Sequence, residues 1–280
     1  MSTSSAAYEE HLSDSFEPPP TTTGGTAVGA RRPDTMADRA LAVLGAFGTR
    51  TVLGVSEVGA QAGLPKSTAH RLLTVLADTG YVSRVGDRYC LSARMFELGN
   101  LVKACRPNGL RDQAVPFMSD LFARTGETIH LAVPDGLDIL YVEKIFGHKS
   151  TKLATWVGAR RPAYVTALGK VLLAYRDGDR LREDLAQTTY KRYTPFTITS
   201  AQRMENTLQQ VQQDGWAVDF EESFVGVSCL AVPVLHPRTN EPVAALSITT
   251  SAVGKSVMRF QKPMLDTARQ LSARIGPLLV

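Results

Sequence analysis

The sequence predicts an α+β chain of two domains: a small helical domain ending in a β-hairpin, then a linker helix, then a larger α/β domain. Three observations predict it. Residues 55–91 read as helix, tight Gly turn, helix and hairpin. After Leu110 the apolar residues switch between strand alternation and helical spacing in mixed order, as in strands flanked by helices. At 280 residues the chain can bury one small and one medium core.

Residues 1–34 are expected to form a disordered tail. They are rich in Ser, Thr, Pro, Gly and Ala, with Pro18-Pro19-Pro20 among them, and hold too few apolar side chains to offset ordering. The first domain is expected over 35–91. Thr35 can cap its first helix, which places Ala40, Leu41, Val43, Leu44 and Phe47 at helical spacing. Ser56 is the expected cap of the second helix, which turns Val58 and Ala62 inward and ends at Gly63. Pro65 pre-sets the start of the third, where its missing N–H costs nothing. There Ala69, Leu72, Leu73 and Leu76 recur at i, i+3, i+4 and i+7. The opposite face carries Lys66, Ser67, Thr68, His70, Arg71 and Thr74, with no acid before Asp78. Gly80 stops this helix, and Tyr81–Arg84 and Arg88–Leu91 read as strands joined through Gly86-Asp87.

Two helices joined through a short Gly turn form a helix-turn-helix, whose second helix fits the DNA major groove. Its cations and hydroxyls suit phosphates and base edges, where a carboxylate would be repelled. The hairpin is then a wing, with Arg84 and Arg88 placed to touch the backbone beside the groove. An ordinary helical hairpin with a solvated polar face explains each feature singly; their combination favours double-stranded DNA as the partner. Charge agrees. Residues 1–30 carry net −4, residues 31–95 carry +4, and the remainder, almost three times longer than that basic segment, also carries +4.

The composition, 44% apolar and 21% charged, is that of a soluble globular protein. Cys90, Cys105 and Cys229 are too scattered for a disulfide framework, and no Cys or His spacing suggests a metal site. No cofactor is implied. No apolar run reaches membrane length and no signal peptide is visible, so the expected home is the cytoplasm, away from any membrane.

From Ser92 to about Cys105 the pattern stays helical through Met95, Phe96, Leu98, Leu101 and Val102. This linker helix, expected over 92–109 and broken at Pro107-Asn108-Gly109, could contact a second subunit. The second domain is expected over 110–280. Leu110–Thr125 reads as a helix, and Thr128–Val133 and Ile139–Ile145 as strands about the turn Pro134-Asp135-Gly136. Thr166 opens an apolar helix ending near Tyr175, and Ala201–Asp214 is a helix closed by Gly215. Cys229–Leu235 and Val243–Thr249 are strands, and Val257–Ile275 closes the chain as a helix.

The segment Ala37 to Gly99, together with RRPAYVTALGKVLLA and GWAVDFEESFVGVSCLAVPVL, closely resembles the IclR-type bacterial transcriptional regulators, over residues 35–277. The Thr-Ala-Leu-Gly-Lys block and Glu221-Glu222…Gly226-Val227…Cys229-Leu230-Ala231 are its more specific parts. The resemblance implies a winged helix-turn-helix, a linker helix and a GAF-like effector-binding domain, assembled as a homodimer or dimer of dimers. It implies control of a catabolic operon, more often by repression than activation, in response to small organic acids or aromatic compounds. Ala167, Leu168, Asp219, Cys229, Ser247 and Thr249 match the family's effector-contacting positions, and Leu153 an apolar lining position.

The residues themselves allow that reading. Thr166 as an N-cap would leave the N–H groups of Ala167, Leu168 and Gly169 free for a carboxylate. Ser247 and Thr249 share one strand face. An ionised Asp219 would repel a carboxylate, so it must accept from a ligand hydroxyl, be protonated, or orient its neighbours. Two other functions compete. The second domain could be a protein-interaction module without a ligand. An enzyme with Cys229 as nucleophile beside Asp219 is disfavoured, because His130 and His236 show no motif spacing to it.

Overall fold

In a computed structural model, the described residues are 35–48, 50–102, 105, 108–147, 155–252 and 256–275. The expected tail and Leu153 lie outside them. Helix α1, Met36–Ala46, opens on a reciprocal cap: Asp38 N donates to Thr35 Oγ1 at 3.1 Å while Thr35 N donates to the Asp38 carboxylate at 3.0 Å. Val43 and Phe47 are buried as expected, but Leu41 faces solvent. A three-residue strand β1, Val52–Gly54, precedes α2, Val55–Ala62. Ser56 is not the cap of α2. Gly54 holds that place, and its N–H donates to Glu57 Oε2 at 2.7 Å. Gly63 ends α2 in the left-handed region, φ 65°.

Helix α3, Lys66–Asp78, buries Ala69, Leu72, Leu73 and Leu76 against α1 and α2. Strands β2, Val82–Val85, and β3, Arg88–Leu91, form the hairpin, and β3 sits centrally in the sheet order β1-β3-β2. Helix α4 covers only Ala93–Gly99, short of the expected Cys105, and none of its side chains is buried. The chain divides by contacts into two units that part between Gly99 and Asn100.

The second unit begins with α5, Leu110–Thr125, followed by β4, Thr128–Asp135, β5, Asp138–Ile145, and the short β6, Arg160–Pro162. A 3-10 turn, Ala163–Val165, leads into α6, Ala167–Leu173, then α7, Gly178–Gln187, and α8, Ala201–Asp214. Strands β7, Ala217–Phe220, β8, Val227–Leu235, and β9, Pro242–Ser251, precede a second 3-10 turn, Val257–Phe260, and α9, Gln261–Ile275. The six strands pair in the order β6-β5-β4-β9-β8-β7, with every pairing antiparallel.

The two faces of this sheet differ in side-chain size. One carries Leu131, Leu230, Val232, Leu246 and Ile248 and packs with α5 and α9. The other carries Ala132, Ala217, Ala231 and Ala245 and packs with α6 and α8. Small residues on that second face leave room above the sheet, and the cavity lies there.

Candidate functional site

On α3 the side chains of Lys66, Ser67, His70, Arg71 and Thr74 are exposed, and Thr68 is half-buried. The side chains of Lys66, His70 and Arg71 have no ion pair or hydrogen bond with the described residues, so their donors are free for another molecule. Thr74 Oγ1 donates to His70 O at 3.0 Å, which turns part of its polarity back into the helix. The hairpin splits the two arginines that the sequence placed together. Arg84 is exposed and gives only its Nε to Gly86 O at 3.0 Å. Arg88 Nη2 instead donates to Glu57 Oε2 at 2.7 Å and Val52 O at 3.3 Å, stapling β3 to α2 and β1. Glu57 also takes Arg50 Nη1 at 2.9 Å. The Gly54 N–H, then the two arginines, hold its carboxyl below the usual range against some desolvation. No sequence pattern marked Glu57 as this hub.

In the second unit, strand register brings the expected effector residues together. Asp219 lies opposite Cys229, Cys229 opposite Thr249, and Ser247 between Ala231 and His130. Six of the seven, Ala167, Leu168, Asp219, Cys229, Ser247 and Thr249, line one cavity of about 350 Å³ with its open mouth included. His130, Tyr141, Thr155, Ser223 and Phe224 join the lining, and sequence reasoning assigned none of them to an effector. His130 shares the inward phase of β4 with Ala132, so the strand alternation carried that signal.

Thr166 caps α6 as expected, but its Oγ1 accepts from Gly169 N at 2.9 Å, so that N–H is not free. Ala167 and Leu168 line the cavity, and their N–H groups have no hydrogen-bond partner among the described residues. Asp219 Oδ1 accepts from Glu222 N at 2.7 Å and Ser223 N at 3.3 Å, so this side chain orients the loop at the cavity mouth. Burial first, then the charge of Glu222, push its carboxyl up to about 7, against Lys170 and the two N–H bonds. Two of its three possible roles thus hold together: it orients neighbours and is about half protonated near neutrality. Behind it a buried ion pair joins Lys170 to Glu222, and Lys170 Nζ also donates to Val218 O at 3.0 Å.

The other polar groups form a chain. His130 Nε2 lies 2.9 Å from Thr155 Oγ1, and its Nδ1 lies 3.5 Å from Thr249 Oγ1. Lys144 Nζ donates to Thr155 O at 2.6 Å and to its Oγ1 at 2.9 Å. Burial, helped by the Lys144 charge, lowers His130 to about 3, so its ring is neutral at physiological pH. Cys229 Sγ contacts Thr249 Oγ1 at 3.2 Å, and burial pushes the thiol far up. A thiol held protonated is no nucleophile. Among the described residues no group of His, Cys, Asp and Glu could hold a metal ion, and no helix is long and apolar enough to cross a membrane.

Comparison with known proteins agrees with both halves. Residues 36–86 match the model of the IclR helix-turn-helix domain, and residues 102–273 match that of the bacterial transcriptional regulator IclR C-terminal domain. The HTH-type transcriptional regulator KdgR of Escherichia coli (strain K12) is 36% identical over 253 residues, 88% of this chain and 95% of that protein. A crystal structure of the Thermotoga maritima IclR gives a TM-score of 0.71 at 29% identity, covering 86% of this chain and 98% of that one. A crystal structure of an IclR homologue from Microbacterium hydrocarbonoxydans, complexed with 4-hydroxybenzoate, gives 0.77 at 26% identity, covering 85% and 98%. These relatives are regulators rather than enzymes. With a winged helix-turn-helix in one unit, a cavity lined by several polar side chains in the other and family models spanning both, the chain belongs to the IclR family of DNA-binding transcriptional regulators.

Proposed function

We propose that this regulator is a repressor of a catabolic operon, released from its operator by a small organic acid bound in the cavity of the second unit. The observation that carries the reading is the pairing of an outward α3 face that has no carboxylate before Asp78 with a cavity in the second unit lined by His130, Tyr141, Asp219, Ser247 and Thr249. In this reading Lys66, Ser67, Thr68, His70, Arg71 and Thr74 address the major groove, and Arg84 addresses a phosphate. Arg88 serves the wing from within. Ala167, Leu168, Asp219, Cys229, Ser247 and Thr249 contact the effector. The homologue complexed with 4-hydroxybenzoate supports an acid as ligand. Repression is the simpler sign, since it needs only occupancy of DNA, whereas activation needs a further contact with the transcription machinery.

A homodimer or dimer of dimers, acting in the cytoplasm, fits the exposed apolar side chains on and just after α4: Phe96, Leu98, Leu101 and Val102. A dimer reads half-sites at a spacing set by its own geometry. A ligand acts on that spacing only through its differential affinity for two arrangements. Fluorescence anisotropy on the protein's own upstream promoter region tests the DNA half. Wild type should prefer it over random duplex, and Arg71→Ala should weaken binding about tenfold or more with an unchanged melting midpoint. Equal binding of promoter and random duplex, or no effect of Arg71→Ala, sinks the assignment of α3.

A further inference from the structure

Resting on the proposed dimer, we infer that Arg94 is a positioning residue: it clamps the end of α3 to the start of α4 and so makes the dimer selective for half-site spacing. Helix α3 ends without a cation of its own. Its last turn holds no basic residue and closes on Asp78, the wrong sign for the negative end of a helix dipole. Arg94 brings the missing charge from outside. Its Nη1 donates to Thr79 O at 3.0 Å, and its guanidinium lies over the Tyr81 ring, 4.6 Å from the centroid. Thr79 is the C-cap of α3, so its carbonyl is one that a helix end leaves without an intrahelical donor.

The next two carbonyls are taken by the same short segment. Ser92 Oγ donates to Gly80 O, and Ser92 N donates to Tyr81 O at 3.1 Å. Three successive carbonyls after α3 thus each accept from Ser92 or Arg94, and the turn after α3 lies bonded along the start of α4. Gly80 permits this path, with φ 78° in the left-handed region. The Tyr81 N–H returns to Leu76 O at 2.8 Å, so the ring beneath Arg94 is itself tied to the last turn of α3. The clamped end works on a long lever, since the 13 residues of α3 span about 20 Å. A tilt of about 5° at the joint moves the Lys66 end by about 1.5 Å, several times the spread of good hydrogen-bond lengths. A loose joint lets each recognition helix settle on its half-site independently, whereas a stiff one makes a dimer read spacing.

An exposed arginine beside the wing has a rival role, direct contact with a DNA phosphate, and one experiment separates the two. Footprinting of the full-length protein on its own upstream promoter region locates the half-sites. Duplexes are then made with the spacing lengthened or shortened by one base pair, which shifts one half-site by about 3.4 Å and about 35°. In fluorescence anisotropy the wild type should lose about tenfold or more in affinity on either change. Arg94→Ala should lose about threefold or less, with the melting midpoint and the slope of log affinity against log salt unchanged. Tyr81→Leu keeps apolar bulk without the ring face; it should behave alike and stands in if the Ala variant fails to fold. Wild-type spacing preference in both variants overturns the inference and leaves the dimer reading standing. A salt slope lower by about one per protomer makes Arg94 a phosphate contact and overturns the inference equally. A wild type indifferent to spacing overturns the dimer reading, and the clamp falls with it.

Discussion

Gly169 shows how tightly one residue can be specified. A Cβ at this position would come within 2.2 Å of Ala163 Cα and 2.2 Å of Ala163 O, both backbone atoms that cannot swing aside. The close approach seats the first turn of α6 on the 3-10 turn before it. That seating holds Ala167 and Leu168 in the cavity lining and lets Thr166 cap Gly169 N. Gly169→Ala should therefore destabilise the second unit by more than about 2 kcal/mol, the range of overpacked core sites. Urea unfolding followed by circular dichroism checks this, and a variant as stable as wild type would remove the packing account of the Thr-Ala-Leu-Gly-Lys block. The sequence marked that block, but not its reason, because a backbone-to-backbone approach leaves no trace in hydropathy.

Among elements, the wing separates two arginines of the same type and almost the same position. Arg84 has most of its guanidinium free, whereas Arg88 ties β3 to Glu57 of α2 and to β1. Arg84→Ala should weaken promoter binding and lower the slope of log affinity against log salt by about one per protomer, with no change in stability. Arg88→Ala should lower the stability of the first unit by about 0.5–1 kcal/mol, the pair being partly exposed. Glu57 titrates below its ordinary range, so the stability from this pair is present at neutral pH and lost as pH falls through its folded value. Hydropathy could not separate the two arginines, since nothing in a hairpin pattern says where Glu57 will stand. Long periodic segments such as Leu110–Thr125 and Ala201–Asp214 were legible to the residue. Strands β1, β6 and β7 were not, because three or four residues hold too little alternation to show a period. The apolar spacing through Val102 overran the end of α4 at Gly99, since spacing reports a greasy face and not the backbone beneath it. In the cavity, family likeness named the α6, β7, β8 and β9 residues. Tyr141 and His130 escaped because alternation shows which side chains face inward, not where alanines leave space.

For the whole molecule, the buried carboxyl of Asp219 should make the proposed ligand response depend on pH. Around it stand Lys170 from α6, Glu222 from the loop, the Cys229 thiol from β8 and Tyr141 from β5; burial and Glu222 outweigh Lys170 and hold its carboxyl up at about 7. Because the folded value is raised, the favourable contribution of this group is fully present below its ordinary value and is lost as pH rises through about 7. An anionic ligand follows the same sign: it meets a neutral Asp219 at low pH and a negative one at high pH. If the protonated form alone binds well, apparent affinity for a carboxylate held in the cavity should fall about tenfold between pH 6 and pH 8. Linkage carries this to DNA, since a ligand moves operator affinity only as far as it distinguishes the two arrangements. The ratio of promoter affinity with and without that carboxylate should therefore be largest near pH 6, and taking the ratio at each pH cancels the titration of the DNA contacts. Asp219→Asn keeps an acceptor for Glu222 N and Ser223 N but cannot ionise, so it should flatten the ratio while leaving promoter affinity without ligand unchanged. A variant that keeps the wild-type profile would assign the pH dependence to another group, and a flat wild-type profile would mean that Asp219 holds one protonation state throughout.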